Sequence, residues 1–255
     1  MESKLKLQYL SNSGFLLTTE RDKHILIDPY LIGNPMAPFG PDKIPPVDLI
    51  IVTHASFDHL GDSFYIAKRD NASIVCDYLV RQLAYKKGLS KDQIKGCSYG
   101  GTVNIQDVTL RVLQAKHVNY ALDDTGLPIT GIPLAFLITT PNGLRIYHAG
   151  DTCLFGDMKL IGQLYRPHIG LIPVGAVAPK YGKDLPPVEA AQAAQWIGCE
   201  MVIPIHYCDP QDPIEFSSAA KVLSPWMEVK TLKPGEELTI SVIKQGARTT
   251  FILKD

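Results

Sequence analysis

The sequence contains little cysteine and no close cysteine pairs. Its cysteines are Cys76, Cys97, Cys153, Cys199 and Cys208. An odd number of widely spaced cysteines, with no C-x-x-C pair, argues against a disulfide scaffold and against a zinc ribbon. Cys153 and Cys208 lie near candidate metal ligands described below. There we favour a small buried cysteine, with a thiolate ligand or a reactive thiol as the alternative.

The chain also lacks an excess of charge. Its 25 Lys and Arg residues face 26 Asp and Glu residues, for a net charge of −1. Because non-specific nucleic-acid binding needs a basic surface, we expect no nucleic-acid partner. The first ten residues have no continuous apolar core, and proline and glycine interrupt the apolar stretches near 131–141 and 169–178. We therefore expect no signal peptide, no membrane partner and a cytoplasmic location.

The composition is that of a folded protein with a large core. Of the 255 residues, 45% are hydrophobic and 20% are charged, and no low-complexity linker or repeat divides them. We expect one domain over residues 1–255. A small-molecule substrate is the expected partner, and a homo-oligomer is left open.

Short apolar runs bounded by glycine, proline and aspartate predict more strands than helices. Interspersed helices favour two packed sheets with helices outside. Three stretches rich in proline and glycine, 29–46, 119–133 and 175–187, are predicted loops that form either plain surface or a binding site. The predicted strands cover 4–10, 13–19, 24–28, 47–53, 73–77, 107–115, 133–140, 144–149, 168–174, 200–206, 237–243 and 248–253, and the predicted helices cover 61–69, 78–88, 156–165, 187–198 and 213–223.

Polar side chains stand where apolar strands end. They are Asp28, His54, His117, Asp151 and His206. Strand ends can converge at one edge of a sandwich, and imidazole and carboxylate are ligands that Zn²⁺, Mn²⁺ and Fe²⁺ accept. The turn after the strand 47–53 adds Asp58 and His59. A lone histidine at a strand end is usually structural, but this ordered set predicts a metal site.

No competing catalytic motif is present. The chain contains neither a G-x-S-x-G elbow nor a G-x-x-x-x-G-K-[ST] loop. The order H-x-x-x-D-H, a distal histidine, G-D-T and P-I-H-Y instead resembles the metallo-β-lactamase superfamily. Within it, the chain is similar to the metal-dependent hydrolases related to the ascorbate-phosphate lactonases. The matching stretches are 25–35, 47–54, 58–62, 146–152, 155–162, 202–207 and 232–236.

The resemblance implies an α/β fold, a four-layer αββα sandwich with the metal site at one edge of the sheets. It assigns His54 and His117 to a first metal, and Asp58, His59 and His206 to a second, with Asp151 bridging both. Asp28 would orient a ligand. The implied cofactor is Zn²⁺, one or two ions per chain, with Mn²⁺ or Fe²⁺ as alternatives. Asp58 would also orient or deprotonate the nucleophile.

Ser56 departs from the superfamily pattern H-x-H-x-D-H, because it stands where the second histidine belongs. A hydroxyl is a poor ligand beside imidazole. Water could fill the gap, His148 could swing in, or the enzyme could use one metal at Asp58, His59 and His206. Strand alternation puts His148 and Asp151 on opposite faces, which favours a supporting or core role for His148.

The remaining candidates concern substrate contacts. Lys180, Tyr181 and Lys183 could meet an anionic group, although a solvated basic turn is the favoured interpretation. Residues 36–39 and Tyr120 could wall a pocket or cover the sandwich edge. His24 and His168 are interpreted as structural.

These observations predict a metal-dependent hydrolase that uses a metal-activated water on a small ester, lactone or phosphoester. Ser56 motivates the alternative of a non-catalytic binding or regulatory protein with a degraded first metal site. A nuclease is disfavoured by the neutral charge.

Overall fold

The computed structural model describes residues 2–175, 182–246 and 248–254. Within them two large sheets are flanked by helices. The strands are β1 (Glu2–Ser11), β2 (Gly14–Thr18), β3 (His24–Ile27), β4 (Leu49–Ile51), β5 (Ser73–Cys76), β6 (Ile94–Gly96), β7 (Thr102–Ile105), β8 (Val108–Gln114), β9 (Tyr120–Leu122), β10 (Pro128–Thr130), β11 (Leu134–Thr139), β12 (Arg145–His148), β13 (Ile169–Pro173), β14 (Met201–Ile205), β15 (Glu228–Val229), β16 (Glu237–Gln245) and β17 (Arg248–Lys254). The helices are α1 (Phe57–Leu60), α2 (Ser63–Asp70), α3 (Tyr78–Lys86), α4 (Met158–Tyr165), α5 (Pro187–Ile197) and α6 (Asp212–Leu223), with short 3-10 turns at Pro41–Lys43 and Lys91–Gln93.

The two sheets are mixed in strand direction. The first has the order β17-β16-β1-β2-β3-β4-β5-β6, and the second has the order β15-β14-β13-β12-β11-β8-β7. Strands β3, β4, β5 and β6 run parallel to one another, as do β12, β13, β14 and β15. Strands β9 and β10 form a separate antiparallel hairpin. The parallel strands of each sheet therefore end together at one edge.

Three cores separate four layers, and the alternation of side chains along a strand produces them. In β11, Phe136 packs between the two sheets, whereas Leu137 packs against the helices α4, α5 and α6. In β4, Ile51 joins the core between the sheets and Ile50 joins the core beneath α2 and α3. These strands are buried on both faces because apolar residues occupy both sets of alternating positions. The predicted αββα sandwich is confirmed.

Local signals set the helix ends. Asp77 caps α3, where its side chain accepts a hydrogen bond from the Val80 N–H at 2.9 Å. Pro187 opens α5, and Gly198 ends it in the left-handed region. None of the helices in residues 2–175, 182–246 and 248–254 combines the length and apolar character that crossing a membrane requires.

The predicted helices are found near their expected bounds, with one correction. The helix expected at 61–69 is α2, and the short helix α1, which was not expected, precedes it directly after Ser56. The stretch 119–133, expected as a loop, contains the hairpin of β9 and β10. Strands β6, β7 and β15 were not expected, because their short runs are only partly apolar. Residues 176–181 of the third predicted loop lie outside the described residues.

His168 has the structural role expected of it, and its protonation state is tied to folding. The ring is buried, and its Nδ1 accepts a hydrogen bond from the Arg145 N–H at 2.9 Å. Burial, together with the Arg145 guanidinium, lowers the pKa of His168 to about 4. The neutral ring is therefore the form that the fold favours.

We predict that His168 makes the protein less stable as the pH falls from about 6.5 to about 4. Between these two pH values the unfolded chain binds a proton that the folded chain does not bind, so protonation of His168 favours unfolding. Above the pKa of the unfolded chain, His168 causes no such loss of stability. Replacing His168 with Asn should weaken this pH dependence. Thermal unfolding midpoints at pH 7 and pH 4.5 test the prediction, and an equal drop in both proteins would contradict it.

Candidate metal centre

All the predicted ligand residues lie at one edge of the sandwich. Asp28 directly follows β3, and His54 follows β4, its parallel neighbour. In the second sheet, Asp151 and His206 follow the parallel strands β12 and β14. His117 follows β8, which runs in the same direction as β12 because both are antiparallel to β11. Topology thus brings residues separated along the chain to one place.

The short helix α1 carries two further ligand candidates. Asp58 and His59 are adjacent in it, and both are buried. Gly61 ends the helix at φ +41°, and a Cβ there would lie 2.1 Å from the Pro29 carbonyl oxygen. Glycine is therefore required for the turn to pack this closely against the end of β3.

The ligand candidates form two groups around one carboxylate. His54, His117 and Asp151 form one group, and Asp58, His59 and His206 form the other, each with its ligand atoms within 4.8 Å of one another. One oxygen of the Asp151 carboxylate lies among four imidazoles. Asp151 Oδ2 lies 3.0 Å from His206 Nε2, 3.1 Å from His59 Nε2, 3.8 Å from His117 Nε2 and 4.0 Å from His54 Nε2.

Several of these atoms are buried with unmet hydrogen-bonding capacity. Within the part of the chain that the structure describes, Nε2 of His54, Nε2 of His59 and Oδ1 of Asp151 have no hydrogen-bond partner. His59 Nε2 is near Asp151 Oδ2, but the contact does not have hydrogen-bond geometry. Leaving such groups unpaired costs about 1–3 kcal/mol each, so a compensating partner is expected. Converging nitrogen and carboxylate donors fit a divalent transition metal.

Asp28 and Thr53 orient the imidazoles. His59 Nδ1 donates to Asp28 Oδ2 at 2.8 Å, which turns Nε2 toward the cluster. Thr53 donates twice to the same carboxylate, through its N–H at 2.8 Å and its hydroxyl at 2.7 Å. The Thr53 hydroxyl oxygen also lies 3.2 Å from His54 Nδ1. A carboxylate that holds the far nitrogen of a ligand histidine is the usual second layer of a metal site.

Strained backbone supports the cluster. Asp28 and His206 have φ values of +42° and +58°, which non-glycine residues rarely adopt. Gly150, at φ +60°, precedes Asp151, and a Cβ there would lie 2.8 Å from the Leu134 carbonyl oxygen. Such conformations persist only where the surroundings impose them, and they concentrate at functional sites.

Ser56 binds Asp58 rather than pointing free into the cluster. Its hydroxyl donates to Asp58 Oδ1 at 2.5 Å. The other carboxylate oxygen, Oδ2, lies 3.3 Å from His206 Nε2 and 3.9 Å from His59 Nε2. Ser56 therefore holds the Asp58 carboxylate in place, and it supplies no nitrogen to the group of His54, His117 and Asp151.

The acidic surroundings raise the pKa of two histidines. Burial alone would lower the pKa of His59, but the carboxylates of Asp151 and Asp28 outweigh it and raise that pKa well above its usual value. The same balance, with Asp151 and Asp58 as the acids, raises the pKa of His206 to about 9. The field that favours a proton on these imidazoles also favours a metal cation.

The other ligand candidates stay in forms suited to ligation. Burial, and then the positive charge of His59, lowers the pKa of His54 to about 3, which keeps that imidazole neutral. For Asp58 and Asp151, burial would raise the pKa, but the charged His206 and His59 lower it well below the usual value. Neutral imidazole and ionised carboxylate are the states in which these side chains bind metals.

Sequence reasoning missed three supporting residues. Asn12, in the turn between β1 and β2, donates through Nδ2 to the Asp58 carbonyl oxygen at 3.0 Å and to Asp58 Oδ2 at 3.3 Å. Asn119 accepts from the Ala55 N–H at 3.0 Å. Asp184 Oδ2 lies 3.7 Å from His117 Nδ1. Asn12 lies in the turn sequence S-N-S-G, a local signal only for a turn, and no pattern linked any of the three to distant ligands.

Other candidates from the sequence are placed elsewhere or in other roles. His148 is fully buried, donates through Nε2 to the Ser13 carbonyl oxygen at 2.9 Å and accepts from the Gly150 N–H at 3.1 Å, so both ring nitrogens are used. Lys183 forms an ion pair with Asp212. Lys180 and Tyr181 lie outside the described residues.

The expectation of small buried cysteines beside the ligands was wrong. Cys153 and Cys208 are both exposed. Neither belongs to a candidate metal group among the described residues. Each follows a ligand candidate by two positions, but in a loop that has left the strand, so its side chain is not directed into a core.

A cavity of about 270 Å³ opens beside the cluster. Its lining includes Ser56 and His117 from the cluster, together with Tyr120, which the sequence suggested as a pocket wall. Met36, from the other suggested wall at 36–39, lines a different cavity near Tyr207 and α6. Of these two cavities, the one at His117 is lined by a candidate ligand.

Known proteins are similar to this chain in sequence and in fold. The beta-lactamase superfamily domain matches residues 23–207. A UPF0173 metal-dependent hydrolase of Methanosarcina barkeri is 40% identical over 242 residues, which cover 92% of this chain and 99% of that protein. A UPF0173 metal-dependent hydrolase of Rubrobacter xylanophilus is 35% identical over 238 residues, covering 91% and 96%.

This chain belongs to the UPF0173 metal-dependent hydrolase family. The resemblance to the metallo-β-lactamase superfamily is thereby confirmed. Among solved structures, a metallo hydrolase from the archaeon Ignicoccus hospitalis superposes with a TM-score of 0.78 at 28% identity, covering 93% of this chain and 98% of the other. Membership in the UPF0173 family shows a metal-dependent hydrolase and leaves its substrate to be derived from the site.

We predict that Asp28→Asn lowers metal affinity about 10- to 100-fold while the protein stays folded. An asparagine can still accept from the Thr53 N–H, but its amide nitrogen cannot accept from His59 Nδ1. Competition with a chromophoric chelator measures the dissociation constant, and circular dichroism checks folding.

Asp62→Asn is the matched control for this prediction. Asp62, at the start of α2, is also a buried carboxylate, but its Oδ2 accepts from the N–H groups of Leu31 and Ile32 rather than from a ligand candidate. It should change metal affinity much less than Asp28→Asn. Equal losses in the two variants would contradict the orienting role of Asp28.

Proposed function

We propose that this UPF0173 protein hydrolyses a small ester, lactone or phosphoester by using a divalent metal held at the cluster. The observation that carries the proposal is the position of Asp151 Oδ2, buried within 4.0 Å of four imidazole nitrogens. Two of those nitrogens have no hydrogen-bond partner among residues 2–175, 182–246 and 248–254. Family membership supports the reaction class, and the neutral net charge supports a small molecule over a nucleic acid.

In this proposal the two ligand groups differ in their affinity for metal. Asp58, His59 and His206 would hold one ion, with Asp151 shared between this ion and a second at His54 and His117. The set of Asp58, His59 and His206 is buried, and hydrogen bonds to Asp28, Ser56 and Asn12 hold it in place. The set of His54 and His117 has one nitrogen fewer than the superfamily pattern, because Ser56 replaces a histidine. Zn²⁺ suits these ligands, and Mn²⁺ or Fe²⁺ would also be accepted.

When bound, a divalent metal acidifies water and polarises the carbonyl or phosphoryl oxygen of the substrate. The protein residues supply position and charge around that chemistry. Asp28 and Thr53 fix the tilt of His59, so its Nε2 cannot rotate away. The strands beneath the cluster are buried on both faces, which keeps the ligand atoms in place.

Asp58 acts here as an anchor and an orienting group. Its carboxylate has three neighbours, Ser56 Oγ at 2.5 Å, Asn12 Nδ2 at 3.3 Å and His206 Nε2 at 3.3 Å. The pKa of the Asp58 carboxyl is lowered, so the side chain is ionised, which is the form that binds a metal. We propose that Asp58 holds the metal and orients the attacking water.

Ser56 also supports a second candidate, a binding or regulatory protein that does not turn over substrate. The replacement removes one nitrogen from the group of His54 and His117. Such a protein would keep one ion at Asp58, His59 and His206 for structure or for ligand binding. Metal-dependent turnover by the unmodified chain separates the two candidates.

We predict one tightly bound ion per chain and hydrolysis that chelators abolish. Protein purified without chelators or a histidine tag should contain close to one equivalent of metal by mass spectrometry. It should cleave p-nitrophenyl esters or bis-p-nitrophenyl phosphate, and activity lost to a chelator should return with Zn²⁺, Mn²⁺ or Fe²⁺. Asp151→Asn should lower turnover at least ~100-fold. Metal-free protein that none of these ions reactivates would overturn the hydrolase proposal.

We predict that Ser56→His strengthens the binding of a second equivalent of metal about tenfold or more, because it adds an imidazole to the group of His54 and His117. Isothermal titration with Zn²⁺ measures the two binding steps. Ser56→Ala is the matched control, since it removes the hydrogen bond to Asp58 without adding a ligand. Tighter second-site binding in Ser56→Ala would contradict this explanation.

A further inference from the structure

We propose that the cavity beside His117 binds an apolar acyl group, so that the preferred substrates are neutral esters or lactones with a hydrophobic acyl part. This inference rests on the proposed hydrolase function and names its substrate class. The cavity is lined by Ala55, Ser56, Phe57, His117, Val118 and Tyr120.

The cavity is continuous with the ligand cluster at its inner end. His117 Nε2 lies 3.8 Å from Asp151 Oδ2, and the Ser56 hydroxyl is bonded to Asp58. A substrate whose reacting carbonyl reaches the cluster can therefore place its acyl chain in this cavity. The volume of about 270 Å³ corresponds to on the order of nine non-hydrogen atoms, if each takes roughly the 30 Å³ share of a liquid water molecule.

Three large apolar side chains surround the cavity and are exposed. Phe57 is 70% exposed, Val118 63% and Tyr120 54%. Single exposed apolar residues are ordinary, but three that converge on one cavity beside the ligand candidates offer apolar contacts to a bound acyl group. The Phe57 ring is also held in place, since it packs edge-on against Tyr30 with centroids 5.5 Å apart.

The described lining offers no anchor for an anionic substrate. Apart from His117, none of the residues that line the cavity carries a basic group. Lys116, the neighbour of His117, places its Nζ 5.4 Å from the centre of the Phe155 ring, and Lys183 pairs with Asp212. Phosphate recognition normally uses Arg or Lys, so this lining favours a neutral acyl group over a phosphoester.

The test is a series of p-nitrophenyl esters, acetate, butyrate and hexanoate, with one common leaving group. For the metal-loaded protein, kcat/KM should rise about fourfold for each added methylene until the cavity is full, the factor that burial of one methylene gives. Phe57→Ala and Val118→Ala should cut the rise to about twofold or less per methylene, and acetate should change little. Val222→Ala, an exposed apolar position on α6, is the control and should leave the series unchanged.

A charge change gives a second, independent readout. Val118→Lys should lower KM for the anionic p-nitrophenyl hemisuccinate and raise it for the hexanoate, because the acyl group would then meet an ammonium. A substitution that only damaged the fold would lower the apparent kcat for both esters and would not shift the two KM values in opposite directions. Unchanged values for both esters would place the acyl group elsewhere and overturn the inference.

Binding of n-alkyl hydroxamates separates failure of this inference from failure of the proposed function. Their head group binds metal without being hydrolysed, so calorimetry reads the chain-length dependence without turnover. Tighter binding with longer chains but no ester hydrolysis would refute the hydrolase proposal and leave the apolar site standing. Hydrolysis with no chain-length dependence, or a faster reaction with bis-p-nitrophenyl phosphate than with hexanoate, would refute the apolar site.

Sedimentation velocity covers the remaining explanation of the exposed patch. If Phe57→Ala combined with Val118→Ala changes the number of subunits but leaves the ester series unchanged, the patch is an interface between copies of this chain. That result would overturn the inference. An unchanged sedimentation coefficient together with a flattened ester series would support it.

Discussion

The buried carboxylate of Asp151 organises the whole functional edge of this protein. Its Oδ2 is within 4.0 Å of His54, His59, His117 and His206, and no lysine or arginine balances it there among the described contacts. An ionised carboxylate so deeply buried is costly unless positive charge compensates it. Protons on His59 and His206 do so in the absence of metal, and a divalent cation would do so more completely.

Tightly packed strands support this arrangement. The central strands β4, β13 and β14 are buried on both faces, and the residues that follow β3, β4, β12 and β14 lie at one edge. The strained φ values of Asp28 and His206 are tolerable because this packing leaves little room for relaxation. Hydrogen bonds from Thr53 and Asn12 then fix the remaining freedom of the carboxylates. The rigid strands thus hold the ligand atoms at well-defined positions.

Ser56 gives the centre its particular character. Instead of a third imidazole for the group of His54 and His117, the chain places a hydroxyl that bonds Asp58. The group of His54, His117 and Asp151 therefore has one nitrogen fewer, while Asp58 in the other group has one more hydrogen bond that holds it in place. The same segment then continues into Phe57, whose exposed ring begins the apolar cavity. Our two proposals, on the number of tightly bound ions and on the substrate class, therefore depend on two adjacent residues at the start of α1.

The sequence by itself predicted two packed sheets with helices outside and a set of candidate ligands at the strand ends, because alternation and strand-end polarity are local patterns, and its resemblance to the metallo-β-lactamase superfamily added the four-layer order. It also favoured a supporting or core role for His148, since alternation along a strand fixes which face a side chain occupies. Tertiary structure alone decided the partners of Asn12, Asn119 and Asp184, the pairing of Lys183 with Asp212, the exposure of Cys153 and the cavity around Phe57. These depend on contacts between segments far apart in the chain, and the composition of either segment carries no record of which other segment will lie against it.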